Sequence, residues 1–134
     1  MTTYVQARDA LVGKVNTALS TDYPTLKVFW ENAVVPDVNT VGDMFVQIEV
    51  NFQDEFDTTL APDTMATGEV NFRVHCREGT GTRAAASLFD YLRNLMKFQI
   101  VSGVTLYTPR PGRKDSKNGW AYLDLNAPFS FRST

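Results

Sequence analysis

The sequence predicts an α+β fold: one mainly antiparallel sheet of about five strands, with two helices packed on one of its faces. Three observations carry this. In residues 43–52, Met44, Val46, Ile48, Val50 and Phe52 fall on one parity, and Gln47, Glu49 and Asn51 on the other. In residues 68–77, Val70, Phe72, Val74 and Cys76 alternate with Glu69, Asn71, Arg73, His75 and Arg77. Successive side chains of a strand point to opposite faces, so each run has an apolar face and a polar one. Two such strands close in sequence pair most simply antiparallel, leaving one face to be covered. Two segments with apolar residues at helical spacing supply the cover.

The first of these is residues 3–20, where Tyr4, Ala7, Leu11, Val15, Ala18 and Leu19 recur at intervals of three and four. Thr2 or Thr3 can cap its start, and Ser20, Thr21, Asp22 and Pro24 supply the stop. Gly13 inside it costs up to about 1 kcal/mol relative to alanine. Residues 26–30 form a short strand, with Leu26, Val28 and Trp30 on one face and Lys27 and Phe29 on the other. Residues 31–42 read as a loop broken by Pro36, Asp37, Asn39 and Gly42, yet they carry Val34, Val35, Val38 and Val41. A solvated loop seldom needs four valines.

Residues 53–67 separate the two organising strands and are too many for a tight hairpin turn. They read as a long arm that starts acidic and carries Phe56, Leu60 and Met65 around Pro62. Long loops with apolar side chains are common interaction arms. Residues 82–98 form the second helix, striped by Ala85, Leu88, Phe89, Leu92, Leu95 and Met96, with Thr80 or Thr82 as cap. Residues 101–107 form a strand entered through Ser102 and Gly103, and residues 120–131 form the last, where Pro128 suggests an edge or a bulge. Residues 108–119 lie between them as a loop without an apolar side chain beyond proline. Arg110, Arg113, Lys114 and Lys117 against Asp115 give it a local charge of about +3.

At 134 residues the chain is expected to be one domain, residues 1–134. A formal charge of −2 is too small to make nucleic acid or membrane the partner of the whole surface. One cysteine, Cys76, excludes an intrachain disulfide. No apolar signal-peptide core opens the chain and no run approaches the roughly 20 residues of a bilayer span. A soluble protein made inside the cell, without a membrane partner, is expected.

No stretch reads as an active site. Gly79-Thr80-Gly81-Thr82-Arg83-Ala84 matches a dinucleotide-binding turn in spacing. The strand before it alternates, however, whereas parallel Rossmann strands are buried on both faces, and no acid follows about 20 residues on. A glycine–threonine helix entry is the plainer reading, and no cofactor is expected. His75 and Cys76 point to opposite faces of a strand, and no second His or Cys exists to build a zinc site. Asp54, Glu55 and Asp57 lack the spacing of an EF-hand; they read better as a solubilising flank, or as a patch that meets a basic one on another copy. The basic loop is either solvated or faces a partner or DNA; its aromatics, Tyr107 and Trp120, stand at its ends. An enzyme would need convergent polar groups, and none is gathered here.

The arrangement resembles the tail terminator proteins of long-tailed bacteriophages. Residues 4–19, 45–52, 70–77 and 83–95 carry the resemblance, the last reading R-A-A-A-S-L-F-D-Y-L-R-N-L. Neighbouring neck, tail-completion and minor tail proteins look similar. The resemblance implies a non-enzymatic structural protein of the virion: a ring, usually a hexamer, on the head-proximal end of the tail. Such a ring ends tube polymerisation, contacts the tail tube protein and the head completion or connector protein, and lets DNA pass. The expected subunit contacts are Phe56, Leu60, Met65, Val35 and Val38. The expected lumen- or partner-facing residues are Arg110, Arg113, Lys114 and Lys117. The alternative from another class is a small-ligand or peptide-binding module using a concavity near Phe29, Trp30 and Trp120.

Overall fold

Ala7, Leu11, Val15 and Leu19 recur every four residues and are buried along one stripe of helix α1, Tyr4–Asp22. Thr3 is its cap: its hydroxyl accepts the Gln6 N–H at 3.1 Å and the Gln6 side chain accepts the Thr3 N–H at 2.9 Å. The reciprocal pair satisfies two donors that a helix start otherwise leaves open. The helix runs two residues past the expected stop, to Asp22. Gly13 is exposed, and an added Cβ would meet nothing within 4 Å. Gly13→Ala is therefore expected to stabilise the fold by up to about 1 kcal/mol, read as a higher denaturation midpoint at constant slope.

The structure is a computed structural model and describes residues 2–31, 42–57, 64–79, 83–117 and 119–133. After α1 come β1 (Lys27–Trp30), β2 (Met44–Asp57), β3 (Thr64–Arg77), helix α2 (Arg83–Met96), β4 (Gln99–Val101), β5 (Val104–Leu106), β6 (Arg110–Lys117) and β7 (Trp120–Ser133). The described strands form one seven-stranded sheet, ordered β1-β2-β3-β7-β5-β4, with β6 also paired to β7. β1 runs parallel to β2, and every other pairing is antiparallel. This is the expected α+β fold, with more than the five strands anticipated.

Val46, Ile48 and Val50 of β2, Val70, Phe72 and Val74 of β3, and Leu125, Ala127, Phe129 and Phe131 of β7 join the apolar stripes of both helices in one core. From α2 it takes Ala85, Leu88, Leu92 and Met96. Polar contacts tie the layers at their margins. The Tyr91 hydroxyl donates to the Asp22 carboxylate at 2.5 Å, and Lys14 Nζ donates to Gln99 Oε1 at 3.0 Å. Burial and Asp22 together push the Tyr91 phenol up to about 12. Where β1 ends, the Glu31 carboxylate takes over its edge, accepting the Val50 N–H at 2.9 Å and pairing with Arg8 at 3.0 Å.

Three expectations need correction. Residues 53–57 and 64–67 are strand, not arm: β2 and β3 continue antiparallel past a bulge between Phe52 and Glu55. The β3 half gains a ladder from Ser130 to Ser133 of β7, which outweighs its polar sequence. Residues 108–119 are not a loop: Arg110 to Lys117 pair with β7, with a bulge between Pro111 and Lys114. Backbone pairing needs no apolar side chain, so periodicity could not reveal it. Residues 101–107 are not one strand. Ser102 and Gly103, at φ +48° and +85°, form a two-residue turn between β4 and β5, as the primed hairpin turns require.

Pro128 is not at an edge. It pairs with Glu69 inside the sheet, at the point where β7 passes from β5 to β6, and its carbonyl accepts the Tyr107 N–H at 3.0 Å. Its missing donor faces that same gap, where no ladder bond is lost.

Candidate interaction surface

The polar parity of the sheet is not uniformly polar. Phe45 on β2 lies directly across from His75 on β3, which lies across from Tyr122 on β7. The next residue pair along is Arg77 and Trp120. With Phe29 of β1 these build a second cluster on the face away from the helices. The Phe45 and His75 rings stack at 4.3 Å, Phe45 meets Trp120 edge-on at 5.1 Å, and Phe29 meets Phe45 edge-on at 5.8 Å. Phe45 and Trp120 are 4% and 8% exposed.

Guanidinium groups lie over the aromatics. Arg73 sits 4.3 Å above Tyr122 and Arg77 sits 4.7 Å above Trp120. Arg73 also grips both carboxylate oxygens of Asp124, at 2.7 and 3.0 Å. The outer face is thus a rigid plate of aromatic rings locked by charged neighbours. The signal for it was readable: Phe29, Phe45, Trp120 and Tyr122 all fall out of phase with the core parity.

His75 belongs to this plate, not to a catalytic pair. Its Nε2 pairs with Gln47 Oε1 at 2.8 Å. Burial first, and then the Arg73 charge, push its pKa down to about 4. The open chain protonates near 6.5, so it binds a proton over a range in which the fold resists one. Stability is expected to fall as pH drops from about 6.5 towards 4. His75→Phe should flatten that part of the pH profile, measured as denaturation midpoints. Cys76 points to the helix side and is buried, which raises its thiol pKa.

Phe56 and Met65 face each other across the far end of the β2–β3 hairpin, and Phe56 is 53% exposed. Asp54, Glu55 and Asp57 beside it are exposed. The Glu55 carboxylate accepts the Ser133 hydroxyl at 2.6 Å and the Thr64 hydroxyl at 3.1 Å, which hold its pKa below the usual range. The Thr64 and Ser133 hydroxyl oxygens lie side by side beneath it. Val35, Val38 and Leu60 lie outside the described residues.

Arg110, Arg113 and Lys114 are exposed on β6, where it runs along residues 123–126 near the middle of β7, and the backbone of Lys117 pairs with Trp120 at the start of β7. Their bulge and helix α2 enclose a groove of about 230 Å³, lined by Ala86, Phe89, Pro111 and Leu123 among others. A second groove, of about 190 Å³, lies between the end of α1 and β1. Phe29, Trp30 and Trp120, expected to line one concavity between sheet and helices, do not share a face. Trp30 turns to the helix side, bonding Asn16 at 3.0 Å, while Phe29 and Trp120 lie on the outer face.

Among the described residues, no group of three or more His, Cys, Asp or Glu side chains is placed to hold a metal ion. No helix there is long and apolar enough to cross a membrane. Residues 80–82 of the glycine-rich turn lie outside the described residues. The strand before it, β3, pairs antiparallel with both neighbours, unlike the parallel strand of a dinucleotide fold.

No protein-family model matches the sequence, and no curated protein is similar to it. One solved structure, of a protein whose name states no activity, superposes with a TM-score of 0.71 at 15% identity. The match covers 93% of this chain and 92% of the other. The likeness is one of fold.

Proposed function

We propose that the chain is a structural assembly protein of the tail terminator kind, forming a ring that caps the head-proximal end of a phage tail tube. In this reading it stops tube growth and offers the surface to which head completion proteins join. The ring, usually of six copies, leaves a lumen through which DNA passes. It is a component of the virion and performs no reaction; the neck and tail-completion proteins are its near variants.

The observation that carries the reading is the division of labour in the sheet. One face is closed by two helices, while residues 53–57 at the far end of the β2–β3 hairpin and strand β6 extend the sheet beyond that core, the first with exposed Phe56 and the second with exposed cations. Such extensions add little to a monomer's core and suit contacts with other chains. A ligand-binding module is less favoured, because Phe29 and Trp120 lie on the face of the sheet opposite Trp30 and so cannot line one pocket with it.

The test is to assemble cognate tail tubes with and without the chain. Added chain should give tubes of limited length with a ring at one end in electron micrographs, and a matching mass increment. Tubes that stay uncapped and keep growing would overturn the proposal.

A further inference from the structure

Two separate parts of the sheet carry opposite chemistry. Phe56 pairs with Met65 at one end of β3, while the β6 bulge lies level with Phe72 to Val74, so the two stand roughly 25–30 Å apart along the strand. The tip end holds Asp54 and Asp57 together with Glu55, whose carboxylate accepts two hydroxyl donors. Arg132 is the opposing cation in the same stretch of sheet, leaving the tip net negative. Out of it projects Phe56, more than half exposed.

The groove between α2 and the β6 bulge lies further along the sheet, level with Leu123 to Leu125 of β7. Ala86, Phe89, Pro111 and Leu123 give it apolar walls, and its volume is that of one aromatic side chain rather than of a drug-sized ligand. Arg113 and Lys114 line its rim with Asp90 and Asp124, and Arg110 stands beside it on the same strand. Asp124 is paired at two points with Arg73 and Arg113 reaches Asp115 at 3.5 Å, so Arg110 and Lys114 against Asp90 leave the rim net positive by about one charge. Gly112 keeps the β6 bulge close to β7, since a Cβ there would stand 2.9 Å from the Asn126 side chain and 3.0 Å from Asp124 Cβ.

We propose that Phe56 of one copy seats in the groove between α2 and the β6 bulge of the next, with the tip carboxylates facing Arg110, Arg113 and Lys114. This rests on the reading of the chain as a self-assembling ring and names the two surfaces that meet. Knob and groove lie on different parts of the molecule, so the contact is head-to-tail. Repeated, it closes into a ring when its rotation permits. Opposite charge sets the pairing and its register.

The test uses exchanged charges. Asp54→Lys with Asp57→Lys reverses the tip, and Arg113→Glu with Lys114→Glu reverses the rim; all four side chains are exposed, so the fold is kept. Sedimentation at about 50 mM salt, where screening is weak, should show self-association of the native chain. Each reversal should weaken it at least about tenfold, and one chain carrying both should recover most of the loss. Phe56→Asp should weaken it without charge rescue. A doubly reversed chain no better than the single reversals, or a native chain that stays monomeric at about 1 mM, overturns the proposal. If the reversals change nothing while tubes are still capped, this contact is wrong and the terminator reading stands. If loss and rescue occur but tubes stay uncapped, the contact stands and the terminator reading falls.

Discussion

Phe72→Ala is expected to remove about 3–5 kcal/mol of folding stability. Phe72 is 1% exposed at the centre of β3, paired with Ile48 on one side and Leu125 on the other. Its ring lies in the core that both helices cover. Truncation loses the transfer energy of the ring and leaves a cavity that two paired strands cannot close, because their ladder fixes the spacing. A single domain has about 5–15 kcal/mol in total, so the variant should be marginal at room temperature. Denaturant titration checks this: the midpoint should fall with little change in slope. Phe56→Ala supplies the contrast. It removes a ring of the same size at a site 53% exposed, and should shift stability by less than about 0.5 kcal/mol. The same variant should weaken self-association if the tip docks as proposed.

Much of that core was legible. Val46, Ile48, Val50, Val70, Phe72 and Val74 alternate because each sits on a sheet with one dry face, and the dry face filters for apolar residues at every second position. The helical stripes were legible for the same reason at a different period. What the alternation could not show was β6. Arg110 to Lys117 gain their strand geometry from the exposed edge of β7, and the side chains of residues 110–116 are in water, so no burial pattern is written into them. The parallel β1–β2 pairing was hidden too, since four residues fix a strand but not its direction.

The candidate surface was half legible. Phe56, Arg110, Arg113 and Lys114 were expected at exposed positions, and they are exposed. Their placement in separate parts of the sheet follows only from knowing that residues 53–57 and 110–117 continue strands rather than wander as loops. The outer aromatic plate was missed because three of its rings come from strands far apart in sequence, and each ring alone resembles an ordinary exception to alternation. Register brings Phe45, His75 and Tyr122 into one row, and register is the quantity that a single strand's pattern leaves open.

Gly68→Val is the second large effect expected, about 3 kcal/mol, at the upper end for an overfilled site. Gly68 is buried on the helix side of β3, opposite Phe52 and Phe129. Its φ is ordinary, so the demand is for space. A Cβ would stand 2.6 Å from the Phe129 ring and would collide with the Asn51 carbonyl. The ring could swing aside only against its neighbours: Phe52 packs on it at 5.9 Å, Phe131 stacks at 6.3 Å, and Tyr4 closes over Phe52 at 4.7 Å. The carbonyl is backbone, held by the bulge that follows Phe52, and can move only by opening the β2–β3 ladder. Glycine in a strand interior marks such a close approach. The damage should therefore be directional. Amide exchange should quicken first in residues 52–57 and 64–67, while the Val46–Val74 end keeps its protection. The tip that presents Phe56 would lose its fixed geometry before the core melts, so self-association should fail at temperatures where the helices remain folded. Uniform loss of protection along β2 and β3 would instead mean that the hairpin and the core open as one unit.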